Sequence, residues 1–446
     1  MSQSDFMKTK PLIPLLTSMS LPMMFSMLIL SLYNIVDSIY VAKLGESALT
    51  AVSIAFPLQN MIGAVGVGVG VGITSTITIY LGSNQPKKAN ITATLGILLS
   101  IIHCIIFIFI GLFFTKSFLQ LFTKDAAVLN QAIEYSRIVL CFSFGTIIQV
   151  AMEKIFQAVG AMKETMYLLA IGCVVNIVLD PILIFGYFGF PAMGVRGAGI
   201  ATVTGQIIGF ICYIFVYIKK SFSVKIHPSY LQWDLTIIKQ IYSVGIPSSL
   251  MMILPSILTS IFNKILLQFS EIYVAILGIY LKLQTFIYLP VNGMIQGIRP
   301  ILGYNYGAKE YKRMNLTIRY SLIAIGIFMA IGTILSCFFA RPIMYLFSTE
   351  QSLLTIGITA LQLTGFSYIF STYGIVYSGT FEAIGNGKLS LSISLLRQFI
   401  TPIVLSLIFV PLWGANGIWI SFPISEGLAS IYSILLFRKQ KKLFQN

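Results

Sequence analysis

The sequence predicts an all-α polytopic membrane protein, with twelve transmembrane helices in two six-helix lobes related by a pseudo-two-fold axis along the membrane normal. Three observations predict it. Hydrophobic residues make up 57% of the chain and charged residues only 10%, with a mean hydropathy of +0.89, whereas soluble domains carry about 25% charged residues. The apolar runs are long enough to cross a bilayer, which takes about 20 residues each. The chain is also duplicated. Shifted by 225 residues, Pro22 falls on Pro247, Gln59 on Gln284, Gly82 on Gly307, Asn90 on Asn315, Leu121-Phe122 on Leu346-Phe347 and Gly160 on Gly385. A repeat of that length in so apolar a chain points to a transporter whose halves move around a central site.

Taken in order, the first six spans run from about Leu12 to Val41, Ala48 to Ile79, Ile91 to Thr115, Gln131 to Phe156, Met166 to Tyr187 and Gly194 to Ile218. The second six run from Ile237 to Phe269, Ile272 to Pro300, Leu316 to Phe339, Leu353 to Phe381, Leu389 to Leu412 and Gly414 to Phe437. Six is even, so both repeats enter the membrane in the same sense. The longest polar connection, Lys219 to Asp234, joins them. This gives an N-terminal lobe over 1–220, a cytoplasmic linker over 221–236 and a C-terminal lobe over 237–446.

The net charge of +15 sits between the hydrophobic segments rather than on one face of a soluble fold, so it argues for membrane orientation and against nucleic acid. Most cations fall on the side where the chain begins, among them Lys8, Lys88, Lys163, Lys219, Lys309, Lys441 and Lys442. Only Lys43, Lys116, Lys124, Arg196 and Arg341 fall on the other. Both termini are therefore expected on the cytoplasmic side. The apolar stretch after Lys10 is too long for a signal-peptide core and is read as an uncleaved first span.

Cys104, Cys141, Cys173, Cys212 and Cys337 are isolated in apolar segments and form no C-x-x-C pair, which argues against a disulfide framework or a thiolate metal site. His103 stands alone in an apolar span and His227 in the linker, which excludes H-E-x-x-H and His-based zinc sites, and no G-x-S-x-G elbow occurs, so no catalytic constellation is present and no enzyme is expected. The glycines at 63, 66, 68, 70 and 72 match neither a dinucleotide fingerprint nor a phosphate loop. They read as small residues that let helices approach closely.

Ionisable groups in the hydrocarbon region cost on the order of 3 kcal/mol each, so they direct attention to function. Asp37 in the first span follows Asn34 by one helical turn, and Asp180 in the fifth follows Asn176 in the same way. Both acids fall about 9 Å below the outer boundary, and Thr202 of the sixth span about 12 Å below it. Two carboxylates in one dehydrated layer cannot easily both be ionised, so the pair is expected to take up a proton or to hold Na⁺ through oxygen ligands.

The second repeat handles charge differently. Asp37 becomes Phe262 at the 225 offset, and aligning Pro181 with Pro402 makes Asp180 correspond to Thr401. That repeat has instead Lys282, Arg397 and Glu426 inside its spans, and the last two reach similar depth and are expected to form a structural ion pair. Glu153, Lys154, Arg299 and Glu382 are expected at the interface near inner helix ends, and Glu134 and Arg137 to pair on one helix face.

These features resemble the multidrug and toxic compound extrusion (MATE) family, in its bacterial DinF-like or MepA-like branch. The resemblance rests on Tyr33-Asn34-Ile35-Val36-Asp37 with Leu44-Gly45, on the run from Gly297-Ile298-Arg299-Pro300 to Gly307-Ala308, on Phe381-Glu382-Ala383-Ile384-Gly385-Asn386-Gly387-Lys388, and on Arg397-Gln398. It implies a V-shaped pair of lobes in a bacterial cytoplasmic membrane. It further implies export, by a monomer, of amphipathic and often cationic small organic molecules in exchange for H⁺ or Na⁺, with no other cofactor. The family's ion site carries over to Asp37, Asn176, Asp180 and Thr202, with Asn34 beside them. The central cavity is expected to involve Tyr33, Gln59, Lys282, Gln284, Arg397 and Gln398. The second-lobe acid site of the family's NorM-like branch does not carry over, since the seventh span reads Ile261-Phe262-Asn263-Lys264 there, and Gln157 stands where the family often has an arginine. A lipid or lipid-linked oligosaccharide flippase of the same superfamily is the alternative, and Lys282 with Arg397 would supply its cationic cavity.

Overall fold

The computed structural model describes residues 5–445, with side chains as far as Gln440, so the side chains of Lys441 and Lys442 lie outside the described ones. Among the described residues the chain is helical and contains no strand. Eleven helices are long and apolar enough to cross a membrane, and a bent pair brings the count to as many as 12. The first repeat supplies Leu12–Ala42, Glu46–Gly82, Pro86–Phe113, the bent pair Ala126–Cys141 and Phe144–Ala158, Met162–Phe185 and Val195–Lys219. The second supplies Leu235–Leu266, Glu271–Gly307, Tyr311–Phe338, Gln351–Ala383, Gly387–Trp413 and Asn416–Gln440. In this order they are the first to twelfth spans below.

Two spans depart from the continuous helices expected. The fourth bends by 43° at Phe142 and Ser143, where Ser143 and Gly145 bond back to Leu140 and Phe142 in tighter i to i−3 fashion. Such a tightened turn breaks the α-helical ladder without any proline. The eleventh contains a π-helical turn, Leu396–Ile400, just before Pro402. Proline has no N–H to offer the carbonyl four residues back, and the widened turn absorbs the mismatch. The second and eighth spans, Glu46–Gly82 and Glu271–Gly307, are each 37 residues long and extend past their expected ends.

The connection between repeats is docked along the third span. Lys225 N–H donates to Asn90 Oδ1 at 2.8 Å and His227 N–H to Thr94 Oγ1 at 3.4 Å. Asp234 then caps the seventh span by accepting from the N–H groups of Thr236 and Ile237.

Among the described residues, the buried apolar cluster shared by the two repeats lies toward the end of the bundle at which the chain begins. It joins Leu15, Met19, Ile73 and Ile77 to Ile237, Ile241, Ile301 and Tyr304. Toward the other side the cores are separate. One holds Val41, Ala55, Tyr135 and Ile184 of the first repeat, and another holds Phe262, Tyr280, Tyr368 and Trp419 of the second.

Glycines make the shared seam close. A Cβ on Gly293 of the eighth span would stand 2.6 Å from Met24 Cα, and one on Gly297 2.6 Å from Met19 O, both in the first span. Gly68 and Gly72, the counterparts of these glycines at the 225 offset, press on Gly245 and Ile241 of the seventh span. Small residues at crossings bring backbones together where lipid gives no hydrophobic drive.

Candidate functional site

Asp37 and Asp180 are brought together by local features of the fifth and sixth spans. Asn176 and Asp180 are four residues apart and share a helix face. Gly172 and Gly205 let that face approach the sixth span, since a Cβ on Gly205 would lie 2.7 Å from Gly172 O. Thr202, one turn before Gly205, then meets Asn176, whose Nδ2 donates to Thr202 Oγ1 at 3.4 Å. The first span lies against the fifth along its length.

The carboxyls of Asp37 and Asp180 are within interaction range of each other. Asp180 is fully buried, Asn176 and Thr202 are each 2% exposed, and Asp37 is half-buried. Tyr33 and Tyr135 both reach Thr202, and the Tyr135 hydroxyl donates to Gln59 Oε1 at 3.2 Å. Tyr135, on the first half of the bent fourth span, is a member of the site that sequence reasoning missed. Its neighbours Glu134 and Arg137, expected to pair on one helix face, are not among the ion pairs within 4 Å in the described residues.

Asp37 Oδ1, both carboxyl oxygens of Asp180 and Asn176 Oδ1 are buried with no hydrogen-bond donor from the described residues. Buried acceptors are rarely left in this state. Oxygens alone converge here, with no thiol or imidazole, and among the described residues no group of three or more His, Cys, Asp or Glu gathers anywhere. Such a set is suited to a proton shared between two acids or to a hard monovalent cation. Asn34, expected beside the acids, is exposed on the first span, where its carbonyl accepts from Ser38.

The residues expected to line a common cavity are divided. Tyr33 and Gln59 belong to the acid cluster. In the second repeat, Gln284 donates to Tyr280 on its own helix at 3.0 Å, Gln398 is half-buried and Lys282 is exposed. Arg397 Nε lies 3.1 Å from Glu426 Oε1, both side chains are under 10% exposed, and the guanidinium sits 5.9 Å from the centre of the Tyr288 ring. Arg397 is thus neutralised within its repeat, which removes half of the cationic cavity that a flippase reading needs.

The structure corrects two further sequence expectations. Glu153, Lys154 and Glu382 are buried rather than interfacial, at 8%, 3% and 3% exposure, and Arg299 pairs with Glu382. The counterpart of Asp180 is Ser406 rather than Thr401. Gly197 packs on Leu183 in the first repeat and Gly417 on Phe409 in the second, so the fifth and eleventh spans correspond through those contacts and not through their prolines. The sequence anchor failed because the two prolines sit at different depths, one beyond a π turn.

The MatE family model matches residues 22–182 and again 247–408, two segments that begin at Pro22 and its repeat partner Pro247. The multidrug export protein MepA of Staphylococcus aureus (strain MRSA252) is 24% identical over 435 residues, covering 97% of this chain and 95% of the relative. MepA of Staphylococcus saprophyticus is 24% identical over 420 residues, covering 94% and 91%. Among solved structures, the outward-facing conformation of a multidrug resistance MATE family transporter of the MOP superfamily superposes with a TM-score of 0.92 at 26% identity, covering 100% and 99% of the two chains. A MOP superfamily transporter from Pyrococcus furiosus, whose binding pocket is described as reversed in polarity, gives 0.92 at 25% identity and 99% coverage of both.

Proposed function

As the chain belongs to the MatE family and is a multidrug efflux transporter of it, we propose that it is a secondary antiporter. It exports amphipathic, often cationic molecules in exchange for H⁺ or Na⁺, by alternating access between lobes over 1–220 and 237–446. The protein acts as a monomer in the bacterial cytoplasmic membrane, with both termini inside. The observation that carries the ion-coupling part is the facing pair Asp37 and Asp180, surrounded by buried oxygens without donors.

A cation or proton entering this site relieves the repulsion between two carboxylates in a low-dielectric setting. It thereby tightens the first span on the fifth and sixth. The same first span carries Met19 and Met24 against Gly297 and Gly293 of the other repeat, so a change in its packing reaches the seam between the lobes. Ion binding shifts the inward–outward equilibrium only through its different affinity for the two states. Asn176, Tyr33 and Tyr135 are tied together through Thr202 and form the wall against which the acids lie.

The test is dye efflux in inverted vesicles with a pH gradient and a Na⁺ gradient imposed separately. Efflux driven by one gradient and lost in Asp37→Asn and Asp180→Asn identifies the ion and supports the assignment. Gradient-driven efflux at the wild-type rate in both variants would sink it.

A further inference from the structure

The seam between the repeats holds a buried cation that bonds across it. Lys154, on the second half of the bent fourth span, has a side chain only 4% exposed. An ammonium has three N–H groups, and three oxygens receive them. Glu153 Oε1 lies at 2.9 Å, Gln157 Oε1 at 3.1 Å and Gln296 Oε1 at 3.1 Å.

The first two acceptors belong to the same helix as Lys154. The third belongs to the eighth span, in the other repeat. Gln157 Nε2 also donates to Glu153 Oε1 at 2.8 Å and to Gln296 Oε1 at 3.3 Å, while Gln296 Nε2 points to Met27 Sδ at 3.5 Å on the first span. Gly70 of the second span makes room for the lysine stem, since a Cβ there would meet its Cγ at 2.5 Å. Thr74 Oγ1 fixes the backbone by donating to the Lys154 carbonyl at 2.9 Å.

The second repeat has a charge pair at the same seam, but it does not cross between repeats. Arg299, one turn beyond Gln296, pairs with Glu382, which also accepts from Ser248 Oγ at 2.6 Å, and all three belong to the second repeat.

We propose that Lys154 and Gln296 form the latch of the inner gate, a buried ammonium whose third N–H is satisfied only while the two repeats are docked. Parting the repeats on this side carries Gln296 away and strands an N–H of a buried cation, which is costly until water enters. Opening of the gate is therefore tied to hydration at Lys154. The pair positions the lobes and binds neither the coupling ion nor the drug. The inference rests on the alternating-access reading above, but not on the identity of the ion site.

The experiment uses the full chain in inside-out vesicles, with Thr78→Cys as a reporter. Thr78 is fully buried at the same seam, where its Oγ1 occupies the space a Cβ on Gly303 would take. A membrane-impermeant maleimide is added without any ion gradient, and labelling of the chain lacking the reporter is subtracted.

Gln296→Leu keeps the Glu153–Lys154 pair and removes the cross-repeat acceptor, together with the long contact of Gln296 Nε2 to Met27 Sδ. It should raise the labelling rate about tenfold, the scale of a lost hydrogen bond to a charged group. Gln296→Glu restores an acceptor and should return the rate to the parent level or below. Labelling of Gln296→Leu at the parent rate, or no rescue by Gln296→Glu, would overturn the proposal.

Should Gln296→Leu not reach the membrane, the double variant Glu153→Gln with Lys154→Met cuts the same contact from the other side and should give the same rise. A parent rate there is equally fatal. If the Gln296 variants behave as expected while Asp37→Asn keeps gradient-driven efflux, the ion-site assignment fails and the latch stands.

Discussion

The ring of Phe262 stands edge-on to that of Phe422, with centroids 5.5 Å apart and planes at 88°. This contact fills the place in the second repeat that Asp37 and Thr202 occupy in the first. Asp37 falls on Phe262 at the 225 offset. Thr202 falls on Phe422 because each lies eight residues beyond a glycine of the same unusual backbone shape, Gly194 at φ 54°, ψ −132° and Gly414 at φ 59°, ψ −146°. The counterpart of Asp180, Ser406, is also buried. An edge-to-face aromatic pair thus stands where the first repeat has a cluster of oxygens.

Replacing Phe262 with alanine should therefore act on stability and not on ion choice. The fully buried ring should cost about 3–5 kcal/mol when removed. That cost would appear as a lower unfolding temperature of the detergent-solubilised protein, with the preference for a pH or Na⁺ gradient unchanged in vesicles.

Asp180→Asn should uncouple the transporter while leaving drug binding in place. Gradient-driven dye efflux should fall roughly 5- to 150-fold, the range of ordinary coupling free energies, while equilibrium dye binding to the purified protein changes little. Loss of binding and efflux together would instead place Asp180 in the drug site.

Arg397 and Glu426 should show the asymmetry of a buried ion pair. Glu426→Gln leaves a guanidinium without its charge partner among apolar neighbours and should destabilise by about 3–5 kcal/mol. Combining Arg397→Met with Glu426→Leu should recover most of that loss. A double-mutant cycle on unfolding temperature checks it, and additive effects would mean that the pair contributes nothing structural.

Gly205→Val should separate the fifth and sixth spans. The added Cβ would meet Gly172 O and stand 3.1 Å from the Asn176 Cβ, so the Asn176–Thr202 hydrogen bond should break. Overpacking of this kind costs about 1–3 kcal/mol. Gradient-driven efflux should drop more than the unfolding temperature alone explains, because the distortion falls on the proposed ion site.

The sequence by itself determined the membrane class, the number of crossings, the duplication and the two acids of the first repeat. Each depends on properties that survive without coordinates. Hydrocarbon demands long apolar helices, a repeat is carried by its prolines and glycines, and an acid in an apolar span is conspicuous because it is costly. Depth counting at a fixed rise per residue also sufficed to pair Arg397 with Glu426, since both lie on helices that cross the same slab.

Only the tertiary structure decided which side chains share a site. Asn34 sits one turn from Asp37 yet faces outward, and Tyr135 joins from a helix whose bend no proline announces. Lys154 looked like an interfacial lysine by its distance from a helix end, but Gly70 and Gln296, remote in sequence, enclose it. Helix rotation and the closeness of crossings are set by neighbours that small residues admit, and that information is distributed over both repeats rather than held in any one span.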